Sequence, residues 1–146
     1  MGWRGAESIQ LACHVRQQDI AVFADAIKFC SRLHSLELGN AKIGNEAAQL
    51  IAASLPFCTT LIHLDLKYNA IGYTGIKAIA TVLPKCPSIQ TINLESNLID
   101  SSGAAQLSSA LGECPNLLQL HLEANAIGGR AVSCLRCAAP GLRVTY

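Results

Sequence analysis

Charge is scarce in this chain. Its 146 residues include 11 Lys or Arg and 10 Asp or Glu, for a net charge of +1. That near-balance removes any global electrostatic pull toward nucleic acid or anionic lipid, and neither is expected as a partner. Long apolar runs are missing too. None approaches the roughly 20 residues of a membrane-spanning helix. The first fifteen residues carry Arg4 and Glu7 and lack the extended apolar core of a signal peptide. There is no Asn-x-Ser/Thr glycosylation site. Yet 51% of the residues are hydrophobic, far too many for a disordered chain. The composition is that of one packed domain.

Cysteine, in contrast, is plentiful, at seven residues. An odd, high count in a secreted protein would imply disulfides and a spare thiol. Without a secretion signal, reduced and mostly buried thiols are expected, in the cytoplasm or the nucleus.

Four segments share one pattern. LHSLELGNAKIG starts at Leu33, LIHLDLKYNAIG at Leu61, IQTINLESNLID at Ile89 and LLQLHLEANAIG at Leu117, each 28 residues after the last. The same phase aligns Leu36, Leu64, Ile92 and Leu120, then Leu38, Leu66, Leu94 and Leu122, then Ile43, Ile71, Ile99 and Ile127. Further along it aligns Ile51, Ile79, Leu107 and Leu135, and also Cys30, Cys58, Cys86 and Cys114. Within each unit the apolar period changes from two to about 3.6, which predicts a short strand, a turn and a helix of about three turns. Pro56 and Pro84 end two of the helices. Gly75 and Gly103 fall where the turn enters the helix, and glycine there suits unusual backbone angles.

Asn69, Asn97 and Asn125 recur at the turn. A sharp turn after a strand leaves backbone groups pointing inward without partners, and a buried amide can satisfy them. In the first unit Ala41 takes this place and Asn40 comes one residue early, so a looser turn is expected there. A lone unit cannot cover both of its apolar faces, so the units must stack.

The pattern LxxLxLxxNxIGxxGxxxLAxxLxxC closely resembles the leucine-rich repeat, in its ribonuclease-inhibitor-like subtype. The resemblance implies an α/β, right-handed solenoid with parallel strands on the concave face and helices on the convex face. It covers residues 33 to about 138 well, with full repeats at 33–60, 61–88 and 89–116. Residues 8–32 read as a degenerate first repeat, with Cys13 and Val15 in the asparagine and isoleucine phase and the strand SIQLA one residue out of register. Residues 117–146 read as a shortened last repeat in which Leu142 and Val144 come early and form a final strand. The whole chain, 1–146, is expected to be a single domain.

The residues between the strand leucines face the concave side. They form columns: Ser35, His63, Thr91, Gln119; Glu37, Asp65, Asn93, His121; Gly39, Lys67, Glu95, Glu123; and Asn40, Tyr68, Ser96, Ala124. Four carboxylates face one lysine. The expected function is therefore protein binding through Glu37, His63, Asp65, Lys67, Tyr68, Asn93, Glu95, His121 and Glu123, with a basic partner and Tyr68 as aromatic anchor. Proteins the pattern resembles also include Ran GTPase-activating protein and NOD-like receptors. Alternative expectations are thus an accessory GTPase activator or a structural, ligand-sensing segment of a larger receptor.

No enzymatic activity, cofactor or metal is expected. His63 with Asp65 and His121 with Glu123 sit two strands apart, too far for one ion with ligand bonds of about 2 Å. Cys134 and Cys137 form a lone CxxC with no second pair, expected one turn apart and partly buried on the last helix. The four periodic cysteines read as small apolar core residues.

Overall fold

The computed structural model describes residues 4–11 and 16–146; Cys13 and Val15 lie outside them. Strand and helix alternate throughout: β1 (Ser8–Gln10), α1 (Gln17–Ile27), β2 (Ser35–Glu37), α2 (Asn45–Ser54), β3 (His63–Asp65), α3 (Tyr73–Val82), β4 (Thr91–Asn93), α4 (Ser101–Leu111), β5 (Gln119–His121), α5 (Gly129–Ala138) and β6 (Arg143–Thr145). The strands form one parallel sheet in sequence order. Strands line the concave face of a right-handed solenoid and helices its convex face.

Register follows the repeat. Leu36 pairs with Leu64, Leu64 with Ile92 and Ile92 with Leu120. At the ends the spacing shortens. Ile9 pairs with Leu36 and Leu120 with Val144, which are 27 and 24 residues apart. Here the shifted first strand and the early last one take their places. The periodic leucines and isoleucines are buried from Ile9 to Leu135, as are Phe23, Ile27 and Cys30 of the first unit. Ile127 is half-buried.

Both Pro56 and Pro84 act one step later than a plain helix stop. The α-helix ends before Leu55 and Leu83, and a single 3-10 turn, Leu55–Phe57 or Leu83–Lys85, follows. Proline has no N–H to donate to the preceding helical turn. The chain tightens instead, and the amides of Cys58 and Cys86 bond to the Leu55 and Leu83 carbonyls at 2.9 Å.

The glycines of the turn do not serve the purpose expected of them. Gly75 and Gly103 sit inside the first turn of α3 and α4, and their backbones are not left-handed. Closeness requires them. A Cβ on Gly75 would stand 2.9 Å from Ile71 Cγ2 and from Asn45 Oδ1, and one on Gly103 would stand 2.8 Å from Ile76 Cγ2. At the bend of each of the four aligned units stands a left-handed residue, Asn40, Tyr68, Ser96 or Ala124, with φ between 53° and 57°. Each precedes the asparagine position. The sharp bend therefore falls on side-chain-bearing residues, held there by backbone bonds such as Tyr68 N–H to Glu95 O and Ser96 N–H to Glu123 O.

The cysteine stack is core, as the periodicity indicates. Cys30, Cys58 and Cys86 are buried and Cys114 is half-buried. Cys58 Sγ donates across to the Ile27 carbonyl of the preceding unit at 3.4 Å. Burial, with Cys30 beside it, pushes the Cys58 thiol up to about 11 from 9.0. Burial between Cys58 and Cys114 does the same to Cys86. A raised folded-state pKa favours the folded state fully below the unfolded value and loses that contribution as pH rises through the folded one. Stability should therefore fall between pH 9.0 and about 11. In denaturant titrations across that window, Cys58→Ala/Cys86→Ala should show a shallower fall than wild type. Parallel curves would mean that these thiols ionise freely.

Candidate binding face

Between the buried leucines of each strand, side chains alternate outward, and the register sets them side by side. Glu37 lies beside Asp65, Asp65 beside Asn93, and Asn93 beside His121. Two residues earlier on the same face His63 pairs with Thr91. Adjacent strands are about 4.8 Å apart, so Glu37 and Asp65 are true neighbours. Lys67, Glu95 and Glu123 follow just beyond the strand ends. Tyr68 stands at the rim, 51% exposed.

The carboxylates differ from one another. Asp65 accepts from its neighbour's backbone, Lys67 N–H, at 2.9 Å and pairs with Lys67 Nζ at 3.4 Å. Its charge is largely answered within the chain. Glu95 accepts a 2.7 Å bond from the Tyr68 hydroxyl. That bond and the nearby negative charge raise the Tyr68 pKa, so the phenol stays protonated. Among the described residues the Glu37 carboxylate takes a long contact from Ser35 Oγ at 3.3 Å and no other side-chain bond. Asn93 turns its oxygen to the Glu95 amide at 3.0 Å and so fixes the backbone as Asp65 does one unit earlier.

The C-terminal end of the face holds a cluster that the repeat pattern did not reveal. Pairing of β6 with β5 brings Thr145 beside His121 and Arg143 beside Gln119. His121 Nδ1 is 3.0 Å from Thr145 Oγ1 and 3.7 Å from Glu123 Oε1. Burial pushes the Glu123 carboxyl up, but hydrogen bonds from Thr145 and its own backbone N–H, together with His121, outweigh it and hold the pKa below the usual carboxylate range. Glu123 Oε2 is enclosed without a hydrogen-bond partner. Arg143 is an exposed second cation on a face that the repeat pattern gave only one. The 24-residue step into β6 hid both residues from a 28-residue comb; the signal was the alternation of Leu142 and Val144.

Asn69, Asn97 and Asn125 form the hydrogen-bonded frame beneath this face. Asn97 Nδ2 donates to the carbonyls of Leu66, Leu94 and Glu95, and its Oδ1 accepts from Ile71 N–H at 3.0 Å. Asn125 repeats this toward Leu94, Leu122, Glu123 and Ile99, and Asn69 toward Leu38, Leu66, Lys67 and Ile43. Each amide ties its own turn to the preceding one. The first unit, without its asparagine, uses a second left-handed residue, Lys42. It is not loose, because Asn69 Oδ1 also takes the Ala41 N–H at 3.1 Å and Ala41 is buried.

A sequence profile described as "Leucine Rich repeat" matches residues 57–80, from the 3-10 turn after α2 through β3 and the Asn69 turn into α3. The chain has the fold of a leucine-rich-repeat solenoid. Among solved structures, this leucine-rich repeat chain is similar to actin-binding site 2 of leiomodin-1, with a TM-score of 0.68 and 20% identity, over 88% of this chain and 78% of that one. A Listeria monocytogenes internalin matches with a TM-score of 0.48 and 17% identity, over 94% of this chain and 46% of that one. No curated protein sequence matches significantly. At 20% identity the leiomodin-1 likeness establishes the fold alone.

Among the described residues no group of three His, Cys, Asp or Glu side chains is placed to hold a metal ion, and no helix is long and apolar enough to cross a membrane. Cys134 and Cys137 lie on α5 one turn apart, as the spacing indicates, but both are exposed rather than partly buried. Leu135 between them takes the core position.

Proposed function

We propose that this solenoid is a protein-recognition module that binds a basic segment of a partner on its strand face, in the cytoplasm or nucleus, without chemistry of its own. The repeats are assigned to the ribonuclease-inhibitor-like subtype, in one domain over 1–146 with the unit boundaries given above. The observation that carries the reading is the contrast between the carboxylates. Asp65 and Glu123 are occupied within the chain. Among the described residues no cation is placed against Glu37, and Glu95 holds up a half-exposed tyrosine. Exposed tyrosine is a common energetic anchor of protein interfaces, and uncompensated carboxylates steer and orient a cationic partner. Leiomodin-1's matching region is an actin-binding site, which supports a protein partner for this architecture and makes actin one candidate to assay.

The test uses matched lysine/arginine-rich and aspartate/glutamate-rich peptides, read by fluorescence anisotropy at two salt concentrations. Wild type should prefer the basic set. Glu37→Lys/Glu95→Lys should weaken it about tenfold or more, equivalent to about 1.4 kcal/mol or more, with an unchanged melting curve. Equal binding by wild type and variant would remove the strand face from the proposal.

A further inference from the structure

Two thiols stand apart from the buried column. Cys134 and Cys137 are both exposed, and Cys137 is the penultimate residue of α5. Side chains three apart on a helix have Cβ atoms about 5–6 Å apart, whereas a disulfide needs about 3.5–4.5 Å. Closing that gap requires one of the two to move. Cys134 is the fixed one, because its carbonyl accepts a 3.1 Å bond from Ser108 Oγ of α4 and Leu135 beside it is fully buried. Cys137 is the mobile one. It lies in the last helical turn, where carbonyls have no partners further along the helix, and the chain leaves helical geometry at Ala139.

Arg136 lies between the two. Its guanidinium stacks on the Tyr146 ring at 5.0 Å and bonds the Tyr146 hydroxyl. Tyr146 directly follows β6, the last strand, which pairs on one side with β5. Arg136 is thus a clamp from the last helix onto the last strand, and it sits in the segment that must rewind if the thiols join.

We propose that Cys134 and Cys137 form a reversible dithiol whose oxidation to an intramolecular disulfide withdraws Arg136 from Tyr146 and loosens β6. The oxidant is a low-molecular-weight disulfide such as oxidised glutathione. One cysteine thiolate attacks it, forming a mixed disulfide and expelling a glutathione thiolate. The second cysteine thiolate attacks the protein sulfur and expels the other. Two protein protons pass to the two glutathiones, and the protein is oxidised by two electrons. The inference does not depend on what the strand face binds.

Trypsin makes the product readable, since cleavage after Arg136 separates the two cysteines. The chain of residues 1–146 treated with oxidised glutathione should form no disulfide between chains and lose two hydrogens. It should also yield linked peptides 131–136 and 137–143, reversed by dithiothreitol. Hydrogen exchange at the Leu122 and Arg143 amides, which bond Thr145 and Leu118 across β5 and β6, should quicken about tenfold on oxidation. Cys134→Ser/Cys137→Ser should show no such change. Arg136→Ala should show the faster exchange without oxidant. The proposal is overturned by glutathione adducts alone, by pairing with another cysteine or another chain, by a disulfide without faster exchange, or by Arg136→Ala exchanging at the wild-type rate.

Discussion

Replacing Asn97 by alanine is expected to destabilise the solenoid by about 2–4 kcal/mol, because a buried N–H and several carbonyls lose a partner at once. Asn97 is 6% exposed, so water cannot readily replace the amide. The Ile71 N–H suffers most, since Asn97 Oδ1 is its acceptor. Thermal or denaturant unfolding monitored by circular dichroism gives the measurement. A midpoint equal to wild type would show that the turn finds other partners.

The ladder makes a sharper prediction than the single substitution. The Leu94 carbonyl accepts from both Asn97 and Asn125. Removing either amide leaves it one bond, and removing both leaves it neither. An oxygen with one bond of two is tolerable, whereas a buried oxygen with none bears the full desolvation cost. Asn97→Ala/Asn125→Ala should therefore exceed the sum of its single effects by about 1–2 kcal/mol. Asn69 with Asn125 shares no carbonyl and should be additive. The arrangement explains why the asparagine recurs unit after unit. Each one closes the turn before it, so its benefit depends on its neighbours being present.

Much of this fold was legible in the sequence because a solenoid repeats its contacts at constant offset. The leucine and isoleucine columns, the strand order, the asparagine turn and the outward columns from Glu37 to Glu123 all follow from one period. What escaped was contact between residues of different kinds across units. Asn45 Oδ1 accepts from the N–H groups of Gly72 and Gly75, 2.9 and 3.0 Å away, and so caps α3 from the neighbouring unit. Ser101 Oγ does the same for Gly128 at 2.9 Å. These caps alternate with a local one, Asp100 on Gly103. Helix-start rules look for a capping residue just before its own helix, so a cap supplied 27 residues away has no local signature. The pairing of Asp65 with Lys67 escaped for another reason. Both were assigned to the same face, but side-chain direction at a left-handed bend cannot be read from alternation, and it decides which carboxylates remain open.

A large loss is also expected where a missing side chain lets two units pack closely. Gly103→Val should cost about 3 kcal/mol or more, at the upper end of overpacking effects. Even its Cβ would stand 2.8 Å from Ile76 Cγ2 and 3.0 Å from Ile99 Cγ2. Both isoleucines are fully buried, and a β-branched side chain has little rotamer freedom with which to retreat. Strain must then pass into the α3–α4 contact. In a stacked array each unit is held mainly by its neighbours, so opening that contact should separate the unfolding of the two halves. Denaturation followed by circular dichroism and by exchange at Ile71 and Leu122 should then give different midpoints, against one shared midpoint in wild type. Gly129→Ala is the control, because nothing stands within 4 Å of a Cβ there and alanine is a better helix former than glycine. If both substitutions were equally harmless, the spacing of the helices would not depend on the missing side chain. The curvature that aligns Glu37, Asp65, Tyr68 and Glu95 on one face would then have to be set by the strands alone.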